Sequence, residues 1–364
     1  MSTKLPLRLA INGFGRIGRG FLRALHESAL TEQIRVVAIN EPSELASIAY
    51  LTRFDSTHGR FPGHIEAGAD AILINGARIA VTHARTPEEV DWRGLGIDLL
   101  IECSGQYTQR ADLERFIDAG CPRLLLSHPG HSAEDVDATV VFGFNENTLS
   151  GRERIVSNAS CTTNAVVPVI DRLHRAFGLE HIMLTTLHSL MNDQPILDGF
   201  HHTDLRCTRS ALQSLIPVAT GLARGVERLL PGIAGRVQAK AIRVPVLNVS
   251  AIDLVVTLAR DATAGKINHC LKEAAAGELS GLVAYSEDPH ASIDFNHNPH
   301  SAIVDGCQTR MSGPRLANLL VWFDNEWGYA NRLLDVAHHW QTLLGNISTS
   351  ASVTSRALNS VDLP

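Results

Sequence analysis

The chain has 364 residues, 45% of them apolar and 19% charged, with a formal net charge of −6 at pH 7. That length is too great for one ordinary core and suits two domains, and a negative balance without a basic face excludes nucleic acid as a partner. No apolar run is long enough to span a bilayer, and the first residues lead into a strand without the apolar stretch of a signal peptide, so the chain reads as cytoplasmic with no membrane partner.

Elements follow in chain order from periodicity and turn residues. Residues Leu7–Asn12 form a buried strand, a glycine-rich turn follows, and Arg16–Glu27 is amphipathic with helical period. Ile34–Asn40 is a second buried strand. Residues 43–54 read as a helix capped by Ser43. Residues 65–83 alternate with strand period around the hairpin dipeptide Asn75-Gly76. A strand is expected over 97–103, a helix over 111–119, and short strands over 123–127, 138–144 and 155–158. This alternation is that of a parallel sheet covered by helices. After residue 160 the texture changes. Cys161–Phe177 has helical period, then long strands follow at 181–189, 237–244, 251–260 and 316–324, with one helix at 263–276. Such a pattern points to a second domain with an antiparallel or mixed sheet. Residues 191–225 read as a long polar loop, a length usually reserved for function. A last helix is expected over 326–344, capped by Asn325, and the Ser- and Thr-rich remainder reads as mobile.

Three features carry chemistry. The first is Gly13-Phe14-Gly15-Arg16-Ile17-Gly18, a G-x-G-x-x-G between a strand and a helix. Its glycines allow a tight turn, close approach to a pyrophosphate and close helix–strand packing, with the pyrophosphate at the helix N-terminus. Glu41, at the end of the second strand, suits the ribose hydroxyls of NAD and repels the 2′-phosphate of NADP. The second is Cys161. The six cysteines, 103, 121, 161, 207, 270 and 307, include no Cys-x-x-Cys pair and imply reduced thiols with no metal site. Cys161 alone opens a helix among small polar residues, where free amides and the helix dipole are expected to lower a thiol pKa. The third is His188, at a strand end. An aldehyde attacked by a thiolate gives a hemithioacetal whose hydroxyl proton needs a base, and a neutral imidazole suits that task.

Three blocks together resemble the glyceraldehyde-3-phosphate dehydrogenase superfamily over most of the chain. They are Ile11-Asn12-Gly13-Phe14-Gly15-Arg16-Ile17-Gly18-Arg19, Ser157-Asn158-Ala159-Ser160-Cys161-Thr162-Thr163-Asn164, and Trp322-Phe323-Asp324-Asn325-Glu326-Trp327-Gly328-Tyr329. The resemblance implies an α/β fold: a Rossmann doubly wound parallel sheet plus a second α+β catalytic domain with a mostly antiparallel or mixed sheet. The corresponding boundaries are 1–160 and 325–345 for the NAD-binding domain, 161–324 for the catalytic domain and 346–364 for a flexible tail. By resemblance Cys161 is the nucleophile and His188 its base. Asn325 holds the nicotinamide carboxamide, Asn40 and Glu41 contact adenosine, and Ser127 lies near the nicotinamide side. Ser160, Thr162, Thr220, Gly221 and Arg243 match an anion pocket that receives inorganic phosphate. A homotetramer is implied too, with loop 191–225 lining a neighbour's cofactor site.

One departure bears on substrate. The phosphorylating enzymes of the superfamily bind substrate phosphate with two threonines soon after the histidine, where this chain has Met191 and Asp193. That pair, with Asp294-Phe295-Asn296-His297-Asn298-Pro299-His300-Ser301 and Ser127-His128-Pro129-Gly130, resembles the branch that oxidises erythrose 4-phosphate and releases the acyl group to water. Two alternatives stay open: a phosphorylating glyceraldehyde-3-phosphate dehydrogenase with a variant site, and an NAD-binding regulatory protein without chemistry.

Overall fold

The computed structural model describes residues 6–201 and 204–358, with side chains described as far as 345. The described residues fall into two compact units: those up to 54, 60–158 and those from 333 onward in one, and 55–59 with those between 159 and 332 in the other.

The first unit is built on a nine-stranded sheet. Its strands lie in the order Ala138–Thr139, Ile155–Ser157, Leu124–Leu126, Leu99–Glu102, Leu7–Asn12, Ile34–Asn40, Ala77–Thr82, Ala71–Ile74, Ile65–Ala67. Every pairing from Ala138–Thr139 through Ala77–Thr82 is parallel. The last two strands join antiparallel, through Asn75 and Gly76 at positive φ as the hairpin requires. Central strands such as Leu99–Glu102 are buried at every position, which explains their continuous apolar runs. Helix Arg16–Glu27 matches its expected bounds and buries Phe21, Leu22, Ala24 and Leu25.

The second unit carries a seven-stranded mixed sheet in the order Ile216–Val218, Val237–Arg243, Leu179–His188, Ser250–Leu258, Leu316–Phe323, Ala302–Ser312, Val283–Ser286. Leu179–His188 pairs parallel with Val237–Arg243 and antiparallel with Ser250–Leu258. Helices Cys161–Phe177 and Ala264–Ala276 pack together and against the sheet. Burial alternates along the strands with period two, so Ile182, Leu184, Thr186 and His188 share the buried face while Met183 and Leu187 stay exposed.

Several expectations need correction. The second helix is Leu45–Arg53, and Ser43 does not cap it, because its hydroxyl donates to Glu41 Oε1 at 2.8 Å. The strand expected over 138–144 shrinks to Ala138–Thr139. Loop 191–225 contains a short helical turn at Leu205–Thr208, an edge strand and the start of helix Leu222–Leu229. Ala302–Ser312, at 11 residues the longest strand among the described residues, and its partner Val283–Ser286 are not foreseen from the sequence. Polar residues such as Gln308 and Arg310 break the apolar alternation that would mark the former. Residues 55–59 belong with the second unit, where Asn296 Nδ2 donates to Thr57 O and His58 Nε2 lies 3.0 Å from Glu326 Oε2. By contacts among its residues the chain rejoins the first unit at Leu333. The last helix runs Trp327–Leu358, well past the expected end at 344, since no proline interrupts it there. The rest of the tail, 359–364, lies outside the described residues.

Candidate active site

The dinucleotide turn is shaped by backbone constraints. Gly13 has φ of +82°, and a Cβ there would stand 2.5 Å from Ser104 N; one on Gly18 would stand 2.5 Å from Gly13 O. Gly15 has nothing within 4 Å of such a Cβ, so its backbone is open to a ligand. Glu41 Oε2 accepts the Phe14 amide at 2.9 Å, which ties the end of the second strand to the turn. Beneath lies a polar chain. Buried Glu102 accepts from Asn12 Nδ2 and from the Ser104 hydroxyl and amide. Asn40 Nδ2 donates to Asn12 Oδ1 at 2.7 Å. Burial pushes the Glu102 carboxyl up to about 7, against those hydrogen bonds. A cavity of about 260 Å³ opens beside this chain, lined by Gly13, Gly15, Asn40, Glu41 and Thr86 among others. Open glycine backbone and an acidic ribose acceptor on one cavity fit a dinucleotide. Ser127 sits at the carboxyl end of its strand, donating its amide to Glu102 O and touching the Cys103 thiol, and Arg16 and Ile17 begin the helix that the turn feeds.

In the second unit, Ala159 at φ of +53° turns the chain into helix Cys161–Phe177. Tyr329 Oη donates to Ala159 O at 2.9 Å and holds that turn. Ser160 is the N-cap: its hydroxyl accepts the Thr163 amide and contacts the hydroxyls of Thr162 and Thr163 at 2.9 and 2.7 Å. Such a cap stabilises the helix by about 1 kcal/mol, and it fixes Cys161 as the first helical residue.

Cys161 Sγ lies 3.8 Å from His188 Nε2. His188 Nδ1 is 2.8 Å from Ser189 O, so Nδ1 carries the proton and Nε2 faces the sulfur with its lone pair. Burial, then the Arg243 charge, depresses the His188 pKa to about 4. The expected lowering of the Cys161 pKa is overturned. The Thr162 amide and Arg243 do pull it down, but burial dominates and raises the thiol to about 11. Burial thus disfavours a charge on either group taken alone.

Arg243 stands beside His188 in the parallel register, which brings its charge to both partners. Arg243 is half-buried, and its buried Nε has no hydrogen-bond partner among the described residues. Thr220 and Gly221 are exposed at the start of helix Leu222–Leu229, where Thr220 Oγ1 accepts the Leu222 amide at 3.2 Å. Met191 and Asp193 lie on an exposed turn closed by Gln194 N donating to Met191 O at 3.1 Å. Burial lowers the pKa of both His188 and Arg243, and the Asp193 carboxylate only partly opposes that shift at each.

Asn325 does not cap the last helix. Asp324 Oδ1 accepts the amides of Glu326 and Trp327 at 3.0 and 2.8 Å, while Asn325 Oδ1 accepts the hydroxyls of Ser189 and Ser250, each at 2.8 Å. Ser189, Ser250, Asn12 and Glu102 escaped the sequence reading. Ser189 adjoins His188, but nothing local marks Ser250, which reaches Asn325 only through the pairing of Ser250 with Phe323. No group of metal ligands occurs among the described residues, and no described helix is long and apolar enough to cross a membrane.

A dinucleotide-binding fold in one unit and a cysteine–histidine pair in the other define an NAD-dependent dehydrogenase. Residues 7–110 match the glyceraldehyde 3-phosphate dehydrogenase NAD binding domain, and residues 160–325 match the C-terminal domain of the same family. The chain belongs to the glyceraldehyde 3-phosphate dehydrogenase family, and its cofactor is NAD.

Proposed function

We propose that the protein oxidises D-erythrose 4-phosphate to 4-phosphoerythronate, a step toward pyridoxal phosphate, through a Cys161 thioester that water hydrolyses. The turn bearing Met191 and Asp193 carries this reading. A methionine offers no donor to a phosphate, and a carboxylate repels one, so the substrate phosphate moves to Arg243 and Thr220. It then occupies the place that inorganic phosphate would need, and water becomes the acyl acceptor.

His188 Nε2 takes the thiol proton as Cys161 Sγ adds to the aldehyde carbon, then returns it to the new alkoxide, giving a hemithioacetal. Bound NAD supplies the hydride acceptor. As the C–H bond breaks, His188 takes the hydroxyl proton and a thioester remains. Once His188 has passed that proton to solvent, it accepts a proton from the attacking water and gives it to Sγ as the thioester C–S bond breaks. This restores the Cys161 thiol and releases the acid, whose own proton goes to solvent to leave the carboxylate. Gly13, Phe14, Gly15, Arg16, Ile17 and Gly18 would hold the pyrophosphate, with Asn40 and Glu41 on adenosine. Asn325 and Ser127 would serve the nicotinamide end, and Ser160 and Thr162 would border the anion pocket. Ser160's hydroxyl is already engaged as a helix cap, so Arg243 and Thr220 carry most of the anion binding.

A homotetramer completes the reading. Ile196, Leu197, Phe200, Leu205 and Leu215 are exposed on the loop segment, and Met183 and Leu187 on the outer sheet face. Apolar patches of this kind mark interfaces.

The experiment is NADH production from erythrose 4-phosphate with and without inorganic phosphate or arsenate. The expected rate changes less than about twofold; strict dependence on the anion defeats hydrolytic deacylation. The second reading, a phosphorylating glyceraldehyde-3-phosphate dehydrogenase, is favoured by the partnerless Arg243 Nε. A clear kcat/KM preference for the three-carbon aldehyde would select it. A silent regulatory protein is opposed by the intact Cys161–His188 contact.

A further inference from the structure

Asn325 is 8% exposed, and the two serines behind it are 0% and 1% exposed. Its Oδ1 accepts two hydroxyl protons, from Ser189 and Ser250, and Ser250 Oγ in turn accepts the Ser189 amide at 3.0 Å. Turned over, the carboxamide would face both hydroxyls with donors and leave two buried hydroxyl protons without an acceptor. Each such loss costs a buried group its hydrogen bond. Asp324 meanwhile takes the capping duty that would otherwise draw the Asn325 side chain toward the last helix. The NH2 group of Asn325 is thus left facing outward with both hydrogens available.

We propose that Ser189 and Ser250 are positioning residues that lock Asn325 in one orientation, so that it donates to the carbonyl oxygen of the nicotinamide carboxamide and cannot accept from its NH2. This rests on the assignment of Asn325 to the nicotinamide made above. Ser189 has a second duty, because its carbonyl accepts the His188 Nδ1 proton. One residue therefore sets the orientation of both the base and the cofactor-binding amide.

Equilibrium binding without aldehyde tests the lock. Calorimetry compares NAD with 3-acetylpyridine adenine dinucleotide, which keeps the carbonyl acceptor and replaces the amide NH2 with a methyl. With Asn325 locked, both ligands receive the same hydrogen bond. In Ser189→Ala and Ser250→Ala the amide can turn over and accept from the NH2 of NAD, an option closed to the analogue. The ratio of the analogue's Kd to that of NAD is expected to rise by about threefold or more over wild type. Ser250→Cys, nearly isosteric, carries the same expectation where Ser250→Ala fails to fold. An unchanged ratio in folded variants overturns the lock. Asn325→Ala separates the two levels: it should weaken both ligands about equally, by about tenfold. If it weakens both while the serine variants leave the ratio unchanged, the lock alone falls. If it weakens neither, the assignment of Asn325 falls and the lock with it.

Discussion

Cys161 and His188 are each pushed away from ionisation by burial, the thiol up to about 11 and the imidazole down to about 4. A charge on either alone is disfavoured, so the useful event is a proton passing from Sγ to Nε2 within the pair. His188→Ala should therefore slow iodoacetamide alkylation of Cys161 at neutral pH by at least about tenfold. The remaining rate should climb steadily with pH toward the thiol's own ionisation. An alkylation rate unaffected by the substitution would separate the two residues. Glu102 offers a stability test. Its carboxyl binds a proton more tightly folded, near 7, than at the ordinary 4.5. Its burial costs nothing below pH 4.5, and the cost grows as pH rises to about 7, where it reaches about 3 kcal/mol. Glu102→Gln should lose that decline, so its melting temperature is flatter between about pH 5 and pH 8. At the acid end the variant should be the less stable, because an amide NH2 replaces an oxygen that accepts from Asn12 or Ser104.

The glycine turn divides folding from binding. Gly13→Ala places a Cβ against Ser104 at positive φ and should cost about 1–3 kcal/mol from the backbone alone. Gly15→Ala meets nothing in the protein and should change stability by no more than about 1 kcal/mol. It should nevertheless raise the Kd for NAD by about tenfold, since the second glycine is where the backbone approaches pyrophosphate. Thermal melts and calorimetry on the two variants check this; equal loss of affinity and stability in both would remove the distinction. The turn and helix Arg16–Glu27 are legible in sequence because they are local: glycine spacing and a 3.6-residue period carry the signal. Helix Cys161–Phe177 is legible for the same reason. Ala302–Ser312 is not, because Gln308 and Arg310 break its apolar alternation, although only residues 313–315 separate it from its antiparallel partner Leu316–Phe323.

At the scale of the molecule, the outer face of the second unit's sheet exposes Met183 and Leu187 along one strand. If that face joins copies of the chain, Met183→Asp should shift the species in sedimentation velocity from tetramer to a smaller one. A wild-type chain that sediments as a monomer would end the proposal directly. The amino-acid sequence by itself determined the parallel α/β unit, the mixed second sheet and the dinucleotide turn, since each is written in short-range pattern. It misassigned Asn325 as a helix cap and expected a lowered thiol pKa. Capping belongs to Asp324 by geometry, and burial outweighs the helix dipole at Cys161. Tertiary structure alone decided that Arg243 flanks His188, that residues 55–59 join the second unit, and that Ser189 and Ser250 hold Asn325. Those outcomes depend on strand register and on how much solvent a group loses, and both arise only when distant segments pack.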